Sequence, residues 1–250
     1  MKRIDWTIWL GFALGISAIL FAAWFEDLKL GFLWNPTAAM IVFGGTLGAV
    51  IVRRGLRGVI SAGRAVWKTQ IIDDEEEKHK VEIAKLAWLS RSAQKNGVKA
   101  FENYADNSGD PLIAQGLILV ADCAHEDTIK QILGRQLDSE DEAGLQDSAT
   151  LEAAGGFAPT FGILGAVMGL IGVLRVLDRP EVLGVGIATA FVATIYGIGL
   201  ANLFFFPLSA RLRARHEANQ KRREELVSVI LAINTKQPPR TIINQFNLPK

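Results

Sequence analysis

The sequence predicts an all-α integral membrane protein with four transmembrane helices and a helical cytoplasmic domain. Half of the 250 residues are hydrophobic, and many of them lie in four stretches without a charged side chain. The charged residues gather between and after those stretches, in patterns typical of helices and not of strands. The expected segments are transmembrane helices 1 and 2 in residues 1–52, the cytoplasmic helical domain in 53–152, transmembrane helices 3 and 4 in 153–208, and a cytoplasmic C-terminal helix and tail in 209–250.

Each apolar stretch is long enough to cross a bilayer, whose hydrocarbon core of about 30 Å needs roughly 20 apolar helical residues. A cleaved secretory signal is the alternative for the first stretch, because Lys2 and Arg3 precede it. However, its apolar part is too long, and Glu26 and Asp27 follow it instead of a small-residue cleavage site. The predicted spans are Trp6–Phe25, Pro36–Val52, Ala153–Leu174 and Val182–Leu208.

The charges between the spans predict the orientation. The loop between spans one and two holds only Glu26, Asp27 and Lys29, and the charges between spans three and four balance. Cytoplasmic loops carry an excess of Lys and Arg, so both termini and the long loop 53–152 are expected in the cytoplasm. The cations that decide this are Arg53, Arg54, Arg57, Arg64 and Lys68 after span two, and Arg211, Arg213, Arg215, Lys221, Arg222 and Arg223 after span four.

The long loop 53–152 is too long for a simple connection and has the pattern of a helical domain. The acidic run 73–77 favours a helix N-terminus, and Asn96 with the following glycine breaks that helix. Pro111 follows a turn cluster and starts a second helix, which is expected to run to about Ala124. A third helix starts near Glu126 and is able to continue into span three.

The tail after span four is also expected to be helical. A highly charged segment runs from Ser209 to about Asn234. Pro238 and Pro239 are expected to end this helix, because proline cannot continue one.

Composition excludes several classes of protein. A net charge of +1 argues against a nucleic-acid binder, which needs a basic excess. The single cysteine, Cys123, excludes an internal disulfide framework and a zinc site of several thiolates, and three scattered histidines argue against a histidine-based metal site. No nucleophile stands with a base, so neither an enzyme nor a cofactor is expected.

Small residues are concentrated in spans three and four, at spacings that let membrane helices approach closely. Two interpretations are open. The small residues pack the helices of one chain together, or they pack the chain against other copies around a common axis. The glycines concerned are Gly155, Gly156, Gly162, Gly165, Gly169, Gly172, Gly184, Gly186, Gly197 and Gly199.

No Asp, Glu, Lys, Arg or His lies inside the core of any predicted span. An ion relay inside a bilayer usually depends on such a residue. If this chain takes part in ion transfer, a partner must therefore bring the carboxylate. The hydroxyl groups that spans three and four offer are those of Thr160, Thr189, Thr194 and Tyr196.

Two prolines lie in or at the end of the span helices, Pro159 in span three and Pro207 in span four. Each removes a backbone hydrogen bond and kinks or loosens its helix. Either they are passive kinks, or they are hinges near the cytoplasmic boundary that carry a change in the spans to the cytoplasmic helices.

Three motifs are specific in combination: A-P-x-x-G-x-x-G-x-x-x-G-L in span three, T-x-Y-G in span four and F-F-P-x-x-x-x-L at its end. With four spans, the long loop 53–152 and the charged tail, the sequence resembles the A subunits of the bacterial flagellar stator, MotA and its sodium-type relative PomA, over nearly its whole length. TolQ and ExbB are distant relatives that share the pattern of spans three and four. Those relatives have three spans and a different loop arrangement.

The resemblance implies a multi-pass protein of the bacterial inner membrane and a set of partners. A pentameric ring of A subunits would surround two B subunits, each with one transmembrane helix bearing an aspartate and a periplasmic peptidoglycan-binding domain. Ions would pass at that aspartate, and the cytoplasmic loop would push on the rotor's switch protein. The lipid bilayer is the remaining partner, and no nucleic acid is expected.

The resemblance also implies roles for single residues. Pro159 and Pro207 match the family's two functional prolines, and Thr194 matches the hydroxyl beside the ion path. Ala166 stands where sodium-type members carry a threonine. Because a methyl group cannot coordinate Na⁺, this favours H⁺ as the transported ion. Asn35, where PomA has an aspartate, departs from the sodium pattern too. The expected ion pathway comprises Thr160, Ala166, Thr194 and Tyr196.

The motif that faces the rotor in this family matches in part. Glu102 aligns with the family's loop glutamate, whereas Gln94 takes the place of its loop arginine. Lys95 and Arg91 are adjacent and able to supply the positive charge. A solvated helix face would have the same pattern.

Three functions are weighed. The first is a proton-driven stator A subunit that generates torque, and the second is a non-flagellar ion-driven energiser of the TolQ/ExbB type. Binding of a rotor through Lys95 and Glu102 would support the first. The third is a transporter or channel that acts alone, against which the absence of intramembrane charge and of an inverted repeat counts.

Overall fold

The computed structural model of the chain describes residues 3–26, 30–72 and 75–246, which are helical almost throughout and confirm the predicted all-α class. The helices are joined by short turns, and residues β1 (Arg3–Ile4) and β2 (Ile71–Ile72) form a two-residue antiparallel bridge. The α-helices are α1 (Trp6–Phe25), α2 (Pro36–Ala39), α3 (Gly45–Thr69), α4 (Glu75–Asn96), α5 (Lys99–Asn107), α6 (Pro111–Ala121), α7 (Glu126–Leu174), α8 (Pro180–Gly199), α9 (Phe206–Asn234) and α10 (Pro239–Gln245).

Among the described residues, four helical runs are long and apolar enough to cross a membrane, and each corresponds to one predicted span. Two short π-helical segments, Met40–Gly44 and Leu200–Phe205, join α2 to α3 and α8 to α9 without ending the helical run. The helix α7 has 49 residues, so span three does continue a helix that begins at Glu126. The four runs are Trp6–Phe25, Pro36–Thr69, Glu126–Leu174 and Leu183–Asn234.

The chain divides into two compact units. Of the described residues, 75–144 and 215–246 form the helical unit, and 3–26, 30–72 and 145–214 form the apolar unit. The long helices α7 and α9 contribute residues to both units. The segments 53–72 and 209–214 belong to the apolar unit, so the division follows packing and not the borders expected from the spans.

In the apolar unit, α7 and α8 approach each other so closely that their contact requires glycine. A Cβ atom added to Gly197 would lie 2.5 Å from the carbonyl oxygen of Ala158, and one added to Gly162 would lie 2.9 Å from that of Ala193. Both distances are shorter than Cβ contacts found in proteins. These glycines therefore serve packing within the chain, which is the first of the two interpretations left open by the sequence.

Other glycines of the apolar unit receive aromatic rings. The side chain of Phe161 covers Gly45, with ring atoms 2.2 to 2.7 Å from the position of an added Cβ, and that of Phe206 covers Gly155 in the same way. Of the ten glycines in spans three and four, six would place an added Cβ within 4 Å of a neighbouring helix. The other four have open space where a Cβ would be, namely Gly156, Gly172, Gly184 and Gly199.

The helical unit has a hydrophobic core of its own. It is formed by α4, α5, α6 and α10 with the parts of α7 and α9 that belong to this unit. The turns follow the sequence: Gly97, with φ of 73°, ends α4, and the Asp110 side chain accepts a hydrogen bond from the Leu112 amide (2.9 Å) to cap α6. The largest side chains buried in this core include Leu86, Leu112, Leu117, Ile129, Leu133, Ile230 and Ile242.

One predicted helix end is wrong, since the second cytoplasmic helix ends at Ala121 and not near Ala124. The tail helix α9 stops at Asn234, as predicted, but it does so before the prolines that were expected to end it. Pro239 instead begins α10, since a first helical position does not need the amide hydrogen that proline lacks. The predicted charges Lys2, Asp27, Lys29, Asp73 and Asp74 lie outside the described residues, and α4 begins with Glu75.

The close approach of α7 and α8 predicts that Gly197→Ala lowers the thermal stability of the purified chain in detergent. Forcing one methyl group into a well-packed contact costs about 1–3 kcal/mol. Gly11→Ala is the matched control, because nothing lies within 4 Å of a Cβ at that position of α1. The unfolding midpoint followed by tryptophan fluorescence should fall for Gly197→Ala alone. Equal midpoints for the two variants would contradict the helix contact described here.

Candidate functional site

The contact between α7 and α8 brings together two of the residues predicted to matter for ion transfer. A Cβ at Gly197 would lie 3.1 Å from the Cα of Pro159, and a Cβ at Gly162 would lie 3.4 Å from the Cα of Thr194. Pro159 and Thr194 therefore lie at the same helix contact, where the two backbones are closest. A change in the bend of α7 at Pro159 would act directly on the neighbouring turn of α8.

The two threonines of the predicted pathway donate their hydroxyl hydrogens to their own helices. Thr194 Oγ1 donates to the Ala190 carbonyl (3.2 Å), and Thr160 Oγ1 donates to the Phe157 carbonyl (2.7 Å). A hydroxyl held in this way keeps its oxygen lone pairs as acceptors. Thr160 is exposed and Thr194 is half-buried. Both oxygens can accept a hydrogen bond or contact a cation, but neither residue carries a charge.

Tyr196 makes a contact that the sequence did not predict. Its hydroxyl donates to the carbonyl oxygen of Leu33, and its ring contacts the ring of Phe43 with centroids 6.2 Å apart. The contact ties α8 to the segment just before α2. The structure thus gives Tyr196 a positioning contact, and its place in the ion pathway stays a prediction.

Asn35 also makes contacts that the sequence did not predict. Its side-chain oxygen accepts from the Ala38 amide (3.0 Å) and so caps α2, while its amide nitrogen donates to Thr189 Oγ1 (2.8 Å). The amide accepts and donates at once here, whereas an ionised carboxylate in its place would accept only. The dipeptide of Asn35 and Pro36 is a sequence signal for a helix start that would have predicted the cap, though not the partner on α8.

Ala166, the residue that favours H⁺ as the transported ion, is half-buried on α7. The neighbouring Gly165 would place a Cβ 2.7 Å from the Cβ of Ala193. The methyl group of Ala166 brings no oxygen to this part of α7. Elsewhere in the apolar unit, the buried hydroxyl of Thr46 has no hydrogen-bond partner among the described residues.

The helix that follows Pro207 is held at two points within the apolar unit. Ser209 Oγ donates to the carbonyl oxygen of Ser148 on α7 (2.8 Å), and Arg211 forms an ion pair with the buried carboxylate of Asp5 at the start of α1. The sequence analysis missed both contacts. Asp5 stands directly before an apolar helix, which is the pattern of an N-cap, but its ionic partner is distant in the chain.

The residues predicted to face a rotor lie in the helical unit. Arg91 is exposed on α4 with its guanidinium carbon 5.3 Å from the centroid of the Trp88 ring. Glu102 is exposed in the first turn of α5, which packs against α4. The side chains of Gln94 and Lys95 lie outside the described part of the structure.

A network of ion pairs fixes α9 within the helical unit. Arg223 donates to Asp110 (2.8 Å) and to Glu140 (2.9 Å), and Glu75 accepts from Arg222 (2.5 Å). Burial disfavours the charge of Arg223, but the two carboxylates outweigh burial, so the pKa of Arg223 is raised. These charged side chains pair with one another and stabilise the fold of the helical unit. Arg91 and Glu102, in contrast, are exposed. Among the described residues, no group of His, Cys, Asp and Glu side chains could hold a metal ion.

Comparison with known proteins agrees with this architecture. The model of the MotA/TolQ/ExbB proton channel family matches residues 104–225. The chain is 28% identical to chemotaxis protein PomA of Vibrio alginolyticus, over 93% of this chain and 88% of PomA. It is 27% identical to motility protein A of Bacillus subtilis (strain 168), over 96% of this chain and 88% of that protein. A protein named uncharacterized protein YtxD from the same strain is 29% identical, over 98% and 90%.

Two solved structures share the fold over nearly the whole chain. The flagellar MotAB stator complex from Bacillus subtilis matches with a TM-score of 0.82 and 26% identity, covering 98% of this chain and 96% of that one. A chain of the C. jejuni MotAB structure matches with a TM-score of 0.84 at 22% identity, covering 99% and 96%. The second likeness shows the fold alone.

The family is one of ion channels and not of enzymes, in agreement with the expectation from the sequence. The four membrane-spanning helices and these relatives make the chain a multi-pass protein of the inner membrane. The family-model match over residues 104–225, the relatives aligned over nearly the whole chain and the shared fold make this chain similar to motility protein A and PomA of the MotA/TolQ/ExbB proton channel family.

Proposed function

We propose that this chain is the A subunit of a flagellar motor stator, a channel-forming membrane protein that generates torque from an ion gradient. The observation that carries this proposal is the likeness to the flagellar MotAB stator complex from Bacillus subtilis, which extends over 98% of this chain. The helical unit and the four spans are both included in that match. Relatives named motility protein A and PomA support the same role.

The proposed partner is a B subunit that brings the ion-carrying aspartate on its single transmembrane helix. The predicted spans of this chain contain hydroxyl and backbone oxygens but no Asp, Glu, Lys, Arg or His. Protons cross a bilayer most readily through groups that bind and release them, and carboxylates are the usual ones. The A subunit would therefore shape the path with Thr160 and Thr194, while the B subunit supplies the titrating group and anchors the complex to peptidoglycan.

The assembly we propose is a pentameric ring of A subunits around a B dimer. Within one chain, six of the ten glycines in spans three and four are in contact with a neighbouring helix. The other four, Gly156, Gly172, Gly184 and Gly199, leave open surface on α7 and α8. Small residues with free space suit close contact with further transmembrane helices, either of neighbouring A subunits or of the B pair.

The transported ion is proposed to be H⁺ and not Na⁺. Ala166 offers a methyl group where sodium-type relatives offer a hydroxyl oxygen. Asn35 is engaged by Ala38 and Thr189 and presents a neutral amide where PomA has an aspartate. Sodium ions need several oxygen ligands in place of their hydration water, whereas protons can pass between a carboxylate and a few hydroxyls or water molecules.

The prolines are proposed to be hinges. Pro159 lies at the tight contact of α7 with α8, and Pro207 lies just before the residues that hold α9 to Ser148 and Asp5. A change in bend at either proline would move a long helix that continues into the helical unit. Both termini and the helical unit are proposed to be cytoplasmic on the positive-inside rule, with Arg91, Gln94, Lys95 and Glu102 facing the rotor's switch protein.

The second candidate is an ion-driven energiser of the TolQ/ExbB type, which shares the family. The four spans and the stator likeness over nearly the whole chain favour the flagellar role. Binding of a rotor through Lys95 and Glu102 would discriminate the two candidates, because only a flagellar subunit needs to bind a rotor.

Expression of this chain with its B subunit in a cell that lacks its own stators tests the role and the ion together. Swimming is expected to be restored at fixed pH, with equal speed in sodium and in potassium medium, because protons drive the motor. The control is a B subunit whose transmembrane aspartate is changed to asparagine. Swimming that requires Na⁺ would contradict the reading of Ala166, and no swimming from a stable complex would favour the energiser.

The hinge proposal predicts that Pro159→Ala and Pro207→Ala each abolish or strongly reduce swimming while the complex still assembles. Alanine restores the backbone hydrogen bond and straightens the helix. Pro180→Ala is the control, since Pro180 is exposed at the first position of α8, where proline is not a kink. Swimming assays and pull-down of the complex give the two readouts. Wild-type swimming by both hinge variants would leave the prolines as passive kinks.

A further inference from the structure

The helix α3 consists of two chemically different parts that meet at Gly55. This glycine has φ of 70° and ψ of 166°, which interrupts the helix. The part before it belongs to the second span and is uncharged as far as Val52. The part after it, residues 56–69, is called the basic amphipathic segment. A non-helical glycine at this junction allows the segment to leave the direction of the span.

One face of the basic amphipathic segment is buried against the apolar unit. Ala62 is 2% exposed and Thr69 is 6% exposed. A different face carries three large apolar side chains in the open: Leu56 is 60% exposed, Ile60 45% and Trp67 68%. Their spacing of four and seven residues places them on one side of a helix. Within the chain, nothing covers this apolar face at the described residues.

A band of cations runs beside the exposed apolar face. Arg57 follows Leu56 and Lys68 follows Trp67, whereas Arg64 follows position 63, which lies two helical turns after Leu56. All three cations are exposed. The sequence from Pro36 to Ile72 contains no Asp or Glu. The segment therefore carries a row of apolar side chains next to a row of cations. This arrangement is complementary to an anionic lipid leaflet, where the acyl chains lie next to the headgroup phosphates.

We propose that the basic amphipathic segment lies on the membrane surface and binds anionic phospholipid. Leu56, Ile60 and Trp67 enter the acyl region, and Arg57 and Arg64 contact the headgroup phosphates. Two observations favour lipid over another protein. The segment is continuous with a membrane span, and tryptophan beside arginine is the composition of the membrane–water interface.

The proposal rests on the membrane-spanning fold and not on the stator role, so its test does not involve motility. The full chain is reconstituted into phosphatidylcholine vesicles in which 20% or so of the lipid is phosphatidylglycerol. Bromine atoms on the acyl chains are placed on one lipid or on the other, since bromine quenches tryptophan fluorescence at contact. The difference in quenching between the chain and its Trp67→Phe variant isolates the contribution of Trp67.

Trp67 is expected to be quenched by brominated acyl chains, and more strongly per mole of brominated lipid when phosphatidylglycerol carries the bromine. A cation near an anionic surface contributes about 1 kcal/mol, so Arg57→Gln with Arg64→Gln should lower the exchange constant for phosphatidylglycerol over phosphatidylcholine by about five-fold for each arginine. The control removes two exposed cations of the helical unit, by Arg135→Gln with Arg240→Gln, and should leave the enrichment unchanged.

Three results would overturn the proposal. Quenching of Trp67 by a water-soluble quencher but not by brominated lipid would place the segment in solvent. Protection of Trp67 from both quenchers would indicate that a second copy of the chain covers the apolar face. Quenching by the two brominated lipids in proportion to their mole fractions, unchanged by the arginine substitutions, would refute the selection of anionic lipid.

Discussion

The contact between the backbones of α7 and α8 is the constraint on which the rest of this structure depends. Gly162 and Gly197 permit an approach that any side chain would prevent, and Pro159 and Thr194 are positioned by that same contact. Without a hydrophobic driving force between helices in lipid, close packing of small residues is what holds such helices together. The residues proposed for ion transfer and for bending are therefore placed by the residues that hold the fold.

The predicted spans contain no Asp, Glu, Lys, Arg or His, which fits the proposed division of roles between this chain and a partner that brings the carboxylate. A charge-free path can bind a proton only where something else brings a titrating group. The open glycine surfaces of α7 and α8 offer space for the helix that brings it. For the torque proposed above, α7 and α9 are the described helices that contribute residues to both units. The contacts of Ser209 and Arg211 hold α9 just after Pro207, the proposed hinge.

Much of the fold was predictable from the sequence, because length and charge alone determine where a helix can cross a bilayer. The spans, the start of α6 at Pro111 and the continuity of α7 were predicted correctly. Contacts between residues distant in the chain were not, because neither Asp5 with Arg211 nor Asn35 with Thr189 leaves a local pattern. The start of α10 at Pro239 was missed because a proline fits a first helical position as well as it ends a helix. The break at Gly55 also depends on a backbone angle that the sequence does not display.

The central claim is that this chain forms the walls of a proton path whose titrating carboxylate comes from a partner. Proton flux into vesicles with a pH-sensitive dye inside tests it most directly, using this chain alone, the complex with its B subunit, and the complex with the B subunit's transmembrane aspartate changed to asparagine. The account predicts flux for the intact complex only. Flux through this chain alone, or through the asparagine complex, would contradict it.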